Sequence, residues 1–500
     1  MSDIFSLRNL VGGKWVEAAS GETRDVLNPA TNRAIAVVPW AGIEDVDRAV
    51  RAAADAFDGG WSRSTPRERA AALRRLAAAM DRRAEEFALR ETDNVGKPIR
   101  ESRMLDVPGS VACLEYFASW ADKLYGETIP QSSMPVLNYT VYEPLGVVGA
   151  IVPWNGPLAI AVWKVAPALA VGNTVVLKPA QLTPLTALLL AEAADEAELP
   201  PGVLNVLTGS GGTIGDALVG HPRVAKIAFT GSTEVGRQIM AKAAGTLKRV
   251  TLECGGKSPN IVFGDANLDS ALEATLFGIF LNQGEVCAAG SRLLVEDSIH
   301  DEFVERLTER ARDLRIGDPR DTGTQLGPLI SPDHLRSVHA YVEDGCSAGA
   351  DLRVGGGPVA LDGFDGNFYA PTILDNVKNS MRVSQEEIFG PVLSVIRFHD
   401  EDEAVRIAND TIYGLSANLH TESLGRAHRV AARLDCGSVF VNLPPVPFAE
   451  APFGGYKMTG VGKDLGRDSL EGFMNKKSVV VSLAARGEHF RWYEDEEQSQ

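Results

Sequence analysis

Between residues 66 and 92, Leu73, Leu76, Met80, Ala84 and Phe87 return at spacings of three and four, the period of a helix with one buried face. Residues 44–57 carry the same pattern, so two amphipathic helices are expected before residue 100. From about residue 145 the pattern changes. Short β-branched runs at 146–152, 174–177, 203–207, 226–229 and 249–252 alternate with alanine-rich stretches around 158–170, 184–197, 212–219 and 233–243. Strand–helix repeats of this size predict a parallel, doubly wound α/β sheet. A second α/β series has strands near 292–296, 392–398, 415–419 and 437–441. The interval 317–371, heavy in Gly, Pro and Asp, reads as loop.

Five hundred residues exceed what one core holds and imply two or three domains. The 45% hydrophobic and 23% charged fractions are those of a globular enzyme. Forty-nine basic against 66 acidic residues leave a net charge of −17, which argues against a nucleic-acid or anionic-membrane partner. Cysteines 113, 254, 287, 346 and 436 are scattered and odd in number, which fits a reducing compartment better than a disulfide framework or a metal site. The first residues lack the basic-then-apolar pattern of a secretion signal, so a cytoplasmic location is expected. Residues 144–163 carry no charge, but Pro153, Asn155, Gly156 and Pro157 interrupt them. A strand, a turn and a helix start fit that stretch better than a membrane span.

Cys287 lies in Asn282-Gln283-Gly284-Glu285-Val286-Cys287-Ala288-Ala289-Gly290-Ser291, where small neighbours leave a thiol sterically open. Glu253, in Leu252-Glu253-Cys254-Gly255-Gly256-Lys257, stands beside two glycines and can approach a reacting centre to activate water. Phe229-Thr230-Gly231-Ser232-Thr233-Glu234-Val235-Gly236 follows a strand and opens a helix, the setting of a phosphate site. It is neither a Walker A loop nor a GxGxxG fingerprint, and an ordinary strand-to-helix turn reads the same way. Lys178 closes another strand at the sheet edge where nucleotides bind in open α/β folds. In Pro153-Trp154-Asn155-Gly156-Pro157 the Asn155 amide either serves a developing oxyanion or completes a turn.

Taken in order, these segments resemble the aldehyde dehydrogenase superfamily, the NAD(P)-dependent, non-phosphorylating enzymes. The likeness runs from about Leu10 to Leu483 and includes Asn28-Pro29-Ala30-Thr31, Glu386-Glu387-Ile388-Phe389-Gly390-Pro391 and Pro452-Phe453-Gly454-Gly455-Tyr456-Lys457. It implies a Rossmann-like cofactor domain (1–125 and 144–254), a catalytic domain (255–473) and an oligomerisation arm (126–143 and 474–484). The acidic tail 485–500 is expected to be disordered. It also implies oxidation of an aldehyde through a Cys287 thiohemiacetal and thioester. Asn155 and the Cys287 amide hold the oxyanion, Glu253 activates the hydrolytic water, and Lys164 serves its proton path. Val152, Pro153, Trp154, Lys178, Gln181, Gly231, Ser232, Glu387 and Phe389 match cofactor contacts. NAD is the expected cofactor, with NADP left open because Gln181 stands where NAD-preferring members often carry Glu. Gly156, Trp163, Leu281, Pro447 and Phe453 match the substrate tunnel; the first, third and fourth replace aromatic residues, so a wide pocket for bulky or aromatic aldehydes is expected. No metal site is expected. A homodimer or homotetramer is.

Two other classes fit parts of the chain. A cofactor-independent cysteine esterase or hydrolase would use Cys287 with a neighbouring base, but none of the eight histidines lies in a recognisable motif with it. A non-enzymatic protein retaining the fold would be expected to have lost Cys287, Glu253 or Asn155, and all three are present.

Overall fold

The protein is described by a computed structural model covering residues 5–484; the acidic tail lies outside the described residues. Its largest sheet runs, edge to edge, through Gly460–Val461, Arg249–Glu253, Val224–Thr230, Val147–Ile151, Thr174–Lys178, Leu204–Val206, Asn9–Val11 and Lys14–Val16. The inner five strands are parallel; Gly460–Val461 and Asn9–Val11 pair antiparallel to them at either side, and Lys14–Val16 pairs antiparallel to Asn9–Val11. Alternation within a strand divides the core: Val148 and Ala150 face one cluster, Val147 and Ile151 the other. Helices Pro66–Arg82, Val107–Trp120, Pro157–Ala170 and Leu185–Glu196 cover the first face, and Ile43–Asp58 covers the second. Burial on both faces is why these strands read as unbroken apolar runs.

The chain lays Thr174–Lys178 and Leu204–Val206 on one side of Val147–Ile151 and returns with Val224–Thr230 on the other. That reversal opens a crevice at the carboxyl ends of the two central strands, the place where open α/β sheets bind ligands.

A second sheet is ordered Asp351–Val354, Thr372–Asp375, Val392–Phe398, Arg292–Glu296, Pro259–Val262, Ser416–His420 and Ser438–Val441, parallel except at its first pair. Only Cys254 to Ser258 link Arg249–Glu253 of the first sheet to Pro259–Val262 of the second. A three-stranded antiparallel sheet joins Thr128–Ile129, Val136–Pro144 and Met474–Ser482.

The strands expected in both series form within a few residues of the predicted bounds, but two expectations change. The pattern over 66–92 is two helices, Pro66–Arg82 and Ala84–Val95, because the backbone leaves helical geometry at Arg83. The Arg83 guanidinium reaches Glu86 and Glu192, at 2.9 and 2.6 Å. The periodicity survives the break since Leu73, Leu76, Met80 and Phe87 all enter one core. The interval 317–371 holds the helix Pro332–Ser347, which Ser331 caps by accepting from the His334 amide and Pro332 opens. Among the described residues no helix is long and apolar enough to cross a membrane.

Candidate active site

Cys287 sits on an irregular segment that three consecutive left-handed residues lead into. Asn282, Gln283 and Gly284 have φ of 47°, 55° and 74°. Such backbone is costly for non-glycine residues and needs support. The Asn282 amide donates to Glu101 Oε2 (2.9 Å), and the Asn282 side chain donates to the carbonyls of Asn155 (2.9 Å) and Glu285 (3.2 Å). At Gly284 a methyl group would overlap the Gly390 carbonyl, so glycine is required there. Asn155 answers from the turn after Val147–Ile151, its Nδ2 donating to the Glu285 carbonyl at 2.8 Å. The amide thus lies against the loop that carries the thiol.

The segment after Glu253 touches the same loop. A methyl at Gly256 would overlap the Cys287 carbonyl oxygen, and one at Gly255 would overlap the Glu387 carboxylate, which accepts from the Gly256 amide at 2.9 Å. Two glycines therefore let thiol loop, carboxylate and strand end meet. Burial pushes the Cys287 thiol up to about 12, with the charges of Glu387 and Glu253 adding to it.

Glu253 closes its strand at 4% exposure, and neither carboxylate oxygen accepts a hydrogen bond of good geometry; the Gly455 amide faces it without completing one. Burial, then the nearby Asp464 carboxylate, hold its pKa well above the ordinary range, against the pull of Lys164. Lys164 itself donates to Asp464 Oδ2 at 2.8 Å, with both side chains out of solvent.

At the crevice, Val152 donates its amide to the Lys178 carbonyl (3.1 Å), and Lys178 Nζ donates to the Pro179 carbonyl (2.7 Å). Burial lowers the Lys178 pKa to about 8. Ser232 caps the helix Thr233–Ala243 through Val235, while the Gly231 amide donates to the Glu253 carbonyl at 3.0 Å. Pro153 leads into Trp154, which packs edge-on to Phe389 at 5.2 Å; Phe389 has φ 61°. Gln181 is exposed at the rim.

On the other side of the thiol, a cavity of about 400 Å³ is lined by Asn155, Gly156, Trp163, Leu281, Cys287, Pro447 and Phe453 among others. Trp163 and Phe453 form an edge-to-face pair 5.6 Å apart. Every residue matched to the tunnel from the sequence thus borders this cavity, which also reaches the thiol. Glu253 and Lys164 lie behind it, outside the lining.

A family model described as the aldehyde dehydrogenase family matches residues 15–479. This chain belongs to the aldehyde dehydrogenase family. It is an NAD(P)-dependent oxidoreductase of aldehydes. It is 45% identical over 480 residues to the cytosolic aldehyde dehydrogenase 1 of Mus musculus, covering 95% of each chain. The betaine aldehyde dehydrogenase of Staphylococcus aureus, solved in complex with NAD+, is 39% identical with a TM-score of 0.95, covering 98% of this chain and 97% of that one. The P. syringae indole-3-acetaldehyde dehydrogenase, as a mutant in complex with NAD+ and IAA, is 45% identical with a TM-score of 0.93, covering 95% and 96%.

Several groups that shape this dehydrogenase's site escaped the motif reading. Asp464 pairs with Lys164 from 300 residues away and belongs to no motif. His334 donates from Nε2 to the Phe389 carbonyl (2.6 Å), lies 3.7 Å from Glu285 Oε1 and packs on Trp154. It sits in the stretch read as loop, where Ser331-Pro332 and the apolar spacing of Leu335, Val338 and Val342 were the available signal.

Proposed function

We propose that this dehydrogenase oxidises a bulky, apolar aldehyde to its carboxylic acid with NAD+, through covalent catalysis at Cys287. The observation that carries the reading is the tunnel: it brings the Cys287 thiol and the Asn155 side chain to one cavity, with the buried Glu253 carboxylate behind. The thiolate attacks the aldehyde carbonyl. The Asn155 amide, now spent on the Glu285 carbonyl, turns with the Cys287 amide toward the oxyanion of the thiohemiacetal. Glu253, whose pKa burial raises well above the ordinary carboxylate range, takes a proton from water as that water attacks the thioester. Lys164 and Asp464 form the buried pair through which that proton is compensated.

The crevice suits a dinucleotide. The Thr233–Ala243 N-terminus offers amides and a positive dipole end to a pyrophosphate. Lys178, buried with one carbonyl partner, keeps donors for a ribose, as the Glu387 carboxylate keeps an acceptor. Bound NAD+ would supply the hydride acceptor that converts the Cys287 adduct into a thioester. The neutral, exposed Gln181 puts no charge against a 2′-phosphate, which leaves NADP as an alternative cofactor.

Gly156, Leu281 and Pro447 place no aromatic ring in the tunnel, which supports a broad substrate over acetaldehyde. We assign residues 1–125 and 144–254 to the cofactor, 255–473 to catalysis, and 126–143 with 474–484 to an oligomerisation arm. Met474–Ser482 is the outer strand of its sheet with Val480 and Val481 exposed, an edge that a second copy of the chain would cover in a dimer or tetramer. All five cysteines are free, as a reducing cytoplasm requires.

The test follows cofactor reduction at 340 nm across an aldehyde panel. Cys287→Ala should be inactive. Glu253→Gln should release about one equivalent of NADH per site in a burst, then turn over about 10²–10⁴-fold more slowly. Steady turnover by Cys287→Ala would overturn the covalent route.

A further inference from the structure

The tunnel has a neighbour. A second cavity, also of about 400 Å³, shares Glu101, Met104, Leu105, Phe277 and Leu281 with it. Beyond those shared residues its floor is Leu276, Phe280 and Leu314, all apolar. Its rim is charged, where Arg310 pairs with Glu273.

The wall common to the two cavities is a built feature. Ser102–Asp106 is a turn of π-helix, a form that clusters at functional sites. Lys97 Nζ ties down its far end at Asp106 (3.0 Å), while Glu101, just before it, holds the Asn282 amide at 2.9 Å. Between these anchors Met104 is 72% and Leu105 36% exposed. Phe448, which also borders the tunnel, is 53% exposed. Large apolar side chains held at a cavity mouth cost solvation unless something apolar covers them.

We infer that the two cavities form one track, and that the outer one is a subsite for the distal tail of an unbranched, long-chain aldehyde. This rests on the reading that Cys287 is the nucleophile at the inner end. The carbonyl sits at the thiol, the chain passes between Met104 or Leu105 and Phe277, and the tail lies over Leu276, Phe280 and Leu314. The occupant is the substrate itself because the outer cavity shares its wall with the space that holds the reacting group.

The experiment is a chain-length series of n-alkanals from propanal through hexanal to decanal, run with wild type, Leu314→Glu and Leu314→Trp. KM should keep falling beyond hexanal, by up to about fourfold per methylene that finds full burial. Either variant should raise KM for decanal about tenfold relative to propanal, one by charge and the other by filling the subsite. A KM that is flat from hexanal onward, or variants that affect both aldehydes equally, would overturn the subsite. Binding of the carboxylates by calorimetry gives a readout without turnover: decanoate should bind at least about tenfold tighter than butanoate, and Leu314→Glu should erase the difference. That result stands even if Cys287→Ala remains active, so the subsite and the nucleophile fail separately. A change in molar mass of Leu314→Glu by light scattering would assign the outer cavity to an interface between copies of the chain and overturn the proposal.

Discussion

Lys164 Nζ and Asp464 Oδ2 meet at 2.8 Å with both side chains shielded from solvent, and after burial the Asp464 carboxylate does most to raise the Glu253 pKa. Replacing Asp464 by Asn leaves a buried ammonium without its counterion, which costs about 3–5 kcal/mol when such a pair is broken. It also removes a negative neighbour from Glu253. The acid limb of the kcat–pH profile should therefore move to lower pH, while the denaturation midpoint falls. An unmoved limb in a folded variant would separate Asp464 from the base.

Gly256→Ala should be far more damaging than its size suggests. The added methyl overlaps the Cys287 carbonyl, which cannot retreat from a loop pinned by Asn282 and Asn155. A loss of about 1–3 kcal/mol is expected from overpacking, with nearly complete loss of activity. Gly245→Ala, where nothing lies nearby, is the control and should match wild type in both thermal melts and turnover.

Alkylation of Cys287 without cofactor should be slow at neutral pH. Burial pushes the thiol up to about 12, so the thiolate fraction grows tenfold per pH unit through the accessible range. Iodoacetamide labelling followed by peptide mass spectrometry should show no plateau between pH 7 and 9. A plateau near pH 8 would mean that the free enzyme already holds a thiolate.

His300 supplies a pH-dependent part of the stability. Burial alone would depress its pKa, but bonds to Asp375 (3.1 Å) and Asp301 (2.9 Å) raise it above the ordinary value. A group raised on folding stabilises fully below its unfolded pKa, about 6.5. That contribution disappears as pH rises through the folded value. The stability gap between wild type and His300→Leu in urea titrations should thus be larger at pH 6 than at pH 9.

The parts of this molecule that were legible in the sequence share a cause. Strands such as Val147–Ile151 and Arg292–Glu296 are buried on both faces, and that burial writes itself as β-branched runs. Cys287, Glu253 and Asn155 were legible because each stands in a short segment whose glycines or prolines are dictated by backbone contacts, as Gly256 and Gly284 show. Asp464 was not, because an ion pair to Lys164 leaves no local periodicity or spacing. The break at Arg83 was hidden for a related reason: two helices bury their apolar residues in one core, so the period runs through the interruption.

The five residues from Cys254 to Ser258 are the shorter of the covalent steps between the two large sheets; they follow Glu253 directly, and their middle residue, Gly256, lies against the Cys287 carbonyl. A link this short spans under about 20 Å even when extended. Rocking of one sheet on the other is therefore geared directly to the spacing of carboxylate and thiol. The halves cannot be traded between relatives as separate cassettes at this joint, because the seam is itself part of the chemistry.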